Sequence, residues 1–273
     1  MSPHYIARLD GLGVVRLTGP DARGLLQGQL SNDVDRLRPD TPLLAGLHTP
    51  QGRVLAILRL LAGPDQEVLA VLPKSLAPLV ATRLKRFVLR AKVVIEDCSA
   101  SHVVYGRQEG DQRQLQIAGP GQPAPAGIAI SEAHWQALDI AAGLPQVYPA
   151  TSEQFVAQML NLDLVEGISF TKGCYTGQEI IARAHYRGKV KRRLQRFHTA
   201  DASPLKPGDR FRLGDGRTIE VVDAVALPAG GHDLLAVAPL SAPTVGGETS
   251  LDPAGLPLLQ VAAAALPYAL PED

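Results

Sequence analysis

The sequence predicts an α+β fold, and three observations carry that expectation. Apolar runs at residues 43–48 and 54–61 flank Pro50-Gln51-Gly52, the spacing of a β-hairpin. Elsewhere the apolar period is helical, as at Leu76, Leu79, Val80, Leu84, Phe87 and Val88. From Leu194 onward only short β-like runs and turns remain. Hairpins interleaved with a few helices fit α+β better than a doubly wound parallel sheet.

In chain order, residues 5–17 alternate loosely and read as one strand bent at Gly11-Leu12-Gly13. Thr18 or Asp21 can cap a short helix with Ala22, Leu25, Leu26 and Leu30 on its apolar face. The polar cluster at residues 27–33 then forms a turn or a ligand contact. After the hairpin, Gly63-Pro64-Asp65 is a turn, residues 67–72 a strand, 76–88 a helix and 92–96 a strand. Strand candidates follow at 102–105, 114–118 and 127–130, with a Gly/Pro-rich loop at 119–126. Ser131 can cap a helix carrying Trp135, Leu138 and Ala142, stopped by Gly143 and Pro145. Beyond it, β-like runs at 209–213, 218–226, 234–239 and 258–264 alternate with turns at Pro207-Gly208-Asp209, Gly214-Asp215-Gly216, Ala229-Gly230-Gly231 and Val245-Gly246-Gly247. That spacing predicts a small antiparallel barrel or sandwich, with a domain boundary near residue 196.

The 273 residues carry no net formal charge, so overall charge selects no polyanionic partner. Only Cys98 and Cys174 are present, which argues against a disulfide framework and for a reducing compartment. The N-terminus lacks the basic and apolar regions of a signal peptide, and no apolar run reaches about 18 residues. A cytoplasmic protein without membrane contact is the expectation.

Chemistry concentrates in Thr171-Lys172-Gly173-Cys174-Tyr175-Thr176-Gly177-Gln178-Glu179. Gly173 and Gly177 bracket the cysteine, and the apolar-periodic Ile180, Ile181 and Ala184 follow. A glycine turn entering a helix, with Lys172 beside it, would favour a thiolate. Gln178 and Glu179 would fix the helix start. Cys174 has three readings: a small buried side chain, a nucleophile or redox thiol, and a metal ligand. Two cysteines without CxxC spacing cannot hold a permanent cluster within one chain, so only transient ligation fits. His185 stands too far along the helix to serve the thiol as base from the same turn.

Arg183, Arg187, Lys189, Lys191, Arg192, Arg193 and Arg196 follow with no acidic residue between them. Such a run is either a solvated face or an anion site. Without an RNA-module signature or interleaved aromatic residues, a compact organic anion fits better than nucleic acid. Trp135, the single tryptophan, is a helix-packing residue or a wall for a flat heterocycle. Asn32 and Asp33 offer the donor and acceptor groups a pterin edge would want, if their loop faces a pocket.

The residues 172–179 resemble the signature of the YgfZ-type folate-binding proteins, whose eukaryotic relatives are mitochondrial iron–sulfur assembly factors. The resemblance extends through Gly167-Ile168-Ser169-Phe170, Ala182-Arg183-Ala184 and Arg187-Gly188. It continues in Leu26-Gln27-Gly28-Gln29, Asp33-Val34, residues 135–143 and Leu266-Pro267-Tyr268-Ala269-Leu270, covering essentially the whole chain. It implies the fold of the glycine cleavage T-protein, an aminomethyltransferase. That is a folate-binding unit at 1–196 in two similar parts, about 1–100 and 101–196, around a central cleft, then a β-barrel at 197–273.

The resemblance also implies tetrahydrofolate or a derivative as ligand, no permanently bound metal, and service to 4Fe–4S enzymes, including radical tRNA-modifying ones. Partners would be those enzymes or their assembly proteins, without direct nucleic-acid binding. Cys174 would be the functional thiol, supported by Lys172. Trp135, Leu12, Gln29, Asn32, Asp33, Arg183 and Arg187 would be the candidate ligand contacts. Leu12 stands where bacterial relatives can carry a tryptophan, so it would cover a ring without π-stacking. The stretch 106–130 is shorter than in longer relatives. A second reading is a folate-dependent one-carbon transferase. The stretch Gly52-Arg53-Val54-Leu55-Ala56-Ile57 opposes it, because it lacks the carboxylate that aminomethyltransferases carry after the hairpin glycine.

Overall fold

The computed structural model describes residues 3–241 and 255–271, so the predicted turn at Val245-Gly246-Gly247 lies outside the described residues. The described residues form three sheets and four α-helices. A five-stranded antiparallel sheet has the order β3 (Leu43–His48), β4 (Val54–Ala62), β5 (Val68–Pro73), β2 (Leu12–Thr18), β6 (Val94–Asp97). A four-stranded sheet has the order β8 (Gln112–Ala118), β7 (Val103–Glu109), β1 (His4–Arg8), β9 (Ile128–Ile130), with β1 and β9 parallel. The third sheet, antiparallel throughout, runs β11 (Arg210–Arg212), β12 (Thr218–Ala226), β13 (His232–Pro239), β10 (Arg192–Thr199), β14 (Ala262–Ala264).

The expected bent strand at 5–17 is therefore two strands in different sheets. The chain turns at Asp10-Gly11, where both backbone N–H groups donate to the Glu132 carboxylate at 3.2 and 2.9 Å. β1 leaves its neighbours in sequence and pairs with residues 105–109 and 128–130. The first two sheets pack through Ala7, Leu9, Val14, Val71, Val104 and Trp135.

Helix α1 (Ala22–Gln27) buries Ala22 and Leu26. Asp21 makes no side-chain cap there; its carboxylate instead accepts from the Lys92 amide at 2.7 Å. Helix α2 (Ala77–Lys85) buries Ala77, Val80, Ala81 and Leu84 and leaves Leu79 half exposed. Helix α3 (Glu132–Ala141) starts as expected, with the Ser131 hydroxyl accepting from the His134 amide at 3.1 Å. It ends at Gly143, whose φ of +64° is the left-handed C-terminal signal. Tyr268 donates to the Gly143 carbonyl at 2.8 Å, so the C-terminal Leu266–Leu270 motif is a clasp on the end of α3.

The third sheet has two buried faces. Leu194, Val222, Val225, Leu235 and Val237 join the main core with the first sheet. Phe197, Leu213, Ile219, Val221, Leu234 and Ala236 form a core of their own on the opposite face. Residue 196 lies inside β10, a strand whose four arginine and histidine residues conceal its alternation in the sequence. Arg193 is buried there because Asp163 takes it bidentately, at 3.0 Å on both oxygens. Among the described residues the pairing does not close a barrel. Leu258 bridges β11 at Arg212 and β14 pairs with β10, so the last segment touches both edges of the sheet.

Candidate functional site

The predicted residues occupy two separate places, a loop bearing the thiol and a cleft between the first sheet, helix α3 and the third sheet. The loop rests on the tip of the β3–β4 hairpin. Gly177 has φ +83°, and a Cβ there would stand 2.6 Å from the Thr49 carbonyl oxygen and 3.2 Å from Gly52 Cα. Gly52 has φ +73°, and its Cβ would stand 2.8 Å from Ile180 Cβ. Two glycines thus let backbone meet backbone. Gly173 has no such role, since a Cβ there meets nothing within 4 Å.

Lys172 fixes the loop from beneath. Its ammonium donates at 2.8 Å to each of the Gln27, Leu30 and Asn32 carbonyls, at and beyond the end of α1. It also lies 5.2 Å from the Tyr175 ring centroid. Burial pushes its pKa down to about 8, which still leaves it charged at neutral pH. All three of its donors are committed to carbonyls, so none is left for Cys174. The expected support of the thiol by Lys172 is therefore structural: the lysine orders the loop. Helix α4 (Gln178–Arg187) begins at Gly177, with Glu179 exposed in its first turn. Cys174 is exposed and free, and its sulfur has no hydrogen-bond partner among the described residues.

No histidine pairs with the thiol. His185 stacks on Phe170 at 3.8 Å. His48 lies under the loop, 6.3 Å from the Tyr175 ring, with both ring nitrogens unpartnered. Burial drives its pKa down to about 3, which keeps the imidazole neutral.

Gln29, Asn32 and Asp33 belong to this loop neighbourhood. Thr176 donates to the Gln29 side chain at 3.2 Å. Asn32 is buried and spends its amide on the Leu44 and Glu166 carbonyls, at 2.8 and 2.7 Å. Asp33 accepts from the Gln27 amide at 2.7 Å. Of the remaining candidates, Arg183 and Arg187 are exposed on α4, without side-chain partners among the described residues.

Leu12 and Trp135, far apart in sequence, do come together. Both line a cleft of about 310 Å³, with Arg59, Asp139, Tyr148 and Asp223 among its other walls. Trp135 is 3% exposed, and its indole N–H is buried without an acceptor. Gly106 lies against its six-membered ring, where no Cβ would fit, and the Arg113 guanidinium is 5.4 Å from the ring centroid. Asp139 accepts from Arg59 and Arg113, both at 2.6 Å. Those three residues and Trp135 also line an adjoining cavity of about 210 Å³.

Asp223 comes from the third sheet, beside a bulge in the β12–β13 register at Val221–Asp223. Bulges re-aim side chains, and this one precedes the carboxylate that lines the cleft. Gln136 donates to Asp223 at 2.7 Å, and the Tyr148 hydroxyl at 3.2 and 3.3 Å. Burial pushes the Asp223 pKa up to about 6, against the lowering effect of those donors. Burial, then Asp223, also raises Tyr148 far above the usual phenol range.

Reading the sequence missed Arg59, Asp139, Arg113, Tyr148 and Asp223. One signal was present: Asp139 stands four residues after Trp135, on the same face of α3. The others gather only through long-range packing.

Curated relatives span most of the chain. The tRNA-modifying protein YgfZ of Edwardsiella ictaluri is 33% identical over 282 aligned positions, covering 86% of this chain and 84% of the relative. The chain belongs to the YgfZ family. YgfZ of Yersinia pestis (strain Pestoides F) is 32% identical, covering 84% of this chain and 82% of its own. An uncharacterized Haemophilus influenzae protein is 33% identical over 213 residues, 73% of this chain and 75% of that one. No family model matches the chain. The crystal structure of the glycine cleavage aminomethyltransferase T from Bartonella henselae superposes with a TM-score of 0.64. It covers 88% of this chain and 79% of its own at 13% identity, which establishes a shared α+β fold for the YgfZ chain. Among the described residues, no group of three or more potential metal ligands is gathered, and no helix is long and apolar enough to cross a membrane.

Proposed function

We propose that this YgfZ-family chain binds tetrahydrofolate or a derivative in the cleft and acts as an accessory to iron–sulfur enzymes that modify tRNA. The observation carrying the first half is the composition of the cleft. A flat heterocycle with donors and acceptors on its edge needs an apolar wall and paired polar groups. Leu12 and Trp135 supply the wall, and the unsatisfied indole N–H supplies a donor awaiting an acceptor. Asp139, Asp223, Gln136 and Tyr148 supply the polar edge. The ligand's own contribution is its capacity to carry one-carbon units. The residues bind and orient it, and burial of Trp135 and Asp223 keeps water from the inner wall.

The names of the relatives support the tRNA-modification half. Cys174 is the group offered to a partner, because it is exposed on a loop whose every other anchor is committed. In this reading the third sheet closes the cleft on the side of Asp223.

Titration calorimetry with tetrahydrofolate tests the cleft. Wild type binds, and Leu12→Ala and Trp135→Phe bind more weakly, by about 1 kcal/mol or more for the lost contact area. Absence of heat with the wild type removes the folate assignment.

A second reading, one-carbon transfer, draws on Asp223. A buried cleft carboxyl with a pKa of about 6 is poised for proton transfer close to neutral pH, although no carboxylate follows Gly52. Sustained turnover of a methylene or methyl tetrahydrofolate with an amine acceptor would establish it.

A further inference from the structure

The basic run after the cysteine loop divides in two on folding. Arg193 is consumed by Asp163 and Arg196 by Asp233 at 2.8 and 3.1 Å, while the half-buried Arg192 reaches the Val237 carbonyl at 3.4 Å. Arg183, Arg187, Lys189 and Lys191 have no side-chain partner among the described residues, and all four are exposed. They stand on α4 and the segment leaving it, where Glu179 in the first helical turn is the one acidic residue.

Folding also supplies the aromatic residues that the linear run lacks. Phe170 and His185 stack at 3.8 Å with an interplanar angle of 17°. Tyr186 stands edge-on to both, at 6.1 and 4.7 Å, and is 67% exposed. Beside this stack runs a groove of about 370 Å³, lined in part by Gln158, Asp163, His185, Lys189 and Arg193. Gln158 is 1% exposed and donates to the Ile181 carbonyl at 2.7 Å, while its Oε1 has no partner. An unsatisfied buried acceptor on a groove wall calls for an N–H donor.

We infer that this face binds an unpaired stretch of RNA. The four cations meet phosphates, the exposed rings stack on bases, and Gln158 Oε1 accepts from a base amino group. An acidic protein surface would satisfy the cations alone. Flat rings carrying N–H groups account for the aromatic stack and the orphan acceptor as well.

Fluorescence anisotropy with a labelled RNA hairpin bearing an unpaired loop tests this on the full chain. Single-strand contacts to four phosphates predict a slope of log K against log salt of about −3. Arg183→Ala with Arg187→Ala should bring it to about −1.4, and Arg183→Lys with Arg187→Lys should restore it. Tyr186→Ala should weaken binding roughly tenfold at any salt, the smaller end of a lost base stack. Its exposed position keeps the denaturation midpoint unchanged. A fully paired RNA of equal length should bind more weakly than the hairpin. A slope near zero, wild-type affinity in both alanine variants, or equal competition by a polyglutamate peptide would each overturn the inference. The last would mark an acidic protein as the partner.

Discussion

The cysteine loop and the cleft are built in opposite ways. The loop is local and rigid: nine consecutive residues sit on a hairpin tip, with Lys172 tying them to three carbonyls and Gly177 meeting backbone. Its reactive atom is the part left exposed. The cleft draws Leu12 and Arg59 from the first sheet, Trp135, Gln136 and Asp139 from α3 and Asp223 from the third sheet, and it hides its polar groups, so its ionisation is governed by burial. A motif presents a group to a partner outside, whereas a dispersed set encloses a ligand.

The largest effect should come from the seat of the loop. Gly177→Ala places a methyl group against the Thr49 carbonyl at a left-handed φ. Strain and overpacking together should cost about 3 kcal/mol in urea denaturation. A cost near zero would mean the loop can lift off the hairpin, and the contrast with the cleft would collapse.

The cleft should respond to pH. Its Asp223 carboxyl holds a proton more tightly folded than unfolded, with a pKa of about 6 against the 3.8 usual for an aspartate. Between those values the folded state keeps a proton that the unfolded state has lost. Stability therefore falls as pH rises through that window and levels off above it. Asp223→Asn should flatten the window and raise stability at pH 7 by about 2 kcal/mol. An unchanged pH profile of the thermal midpoint would show that Asp223 is not the group responsible.

The smallest stability effect should be that of Cys174→Ala, within about 0.5 kcal/mol for an exposed side chain without partners. The same variant should abolish support of iron–sulfur enzymes in cells. Full support by a normally folded variant would leave the thiol without a function.

What the sequence discloses follows the same division. The hairpin at Gly52, the Ser131 cap and the entry to α4 depend on neighbours in the chain, and each could be read from local chemistry. β10 could not, because Arg193 resembles a solvated residue until Asp163 is placed beside it. The break after β1 was visible at Gly11 only as a bend, since nothing local says that β1 will pair with β7 and β9. Trp135 was legible as a wall for a flat ring, whereas Leu12 came into view only through the family resemblance. Asp223 was not, because its donors Tyr148 and Gln136 precede it by 75 and 87 positions.

The single tryptophan of the chain stands in the cleft wall, under Gly106 and beside Arg113. Its emission therefore reports on one place only. A molecule entering the cleft would alter the polarity around this indole, and no other chromophore of its kind would dilute the signal. The protein thus carries its own optical gauge of occupancy, readable without a label at dilute protein concentration.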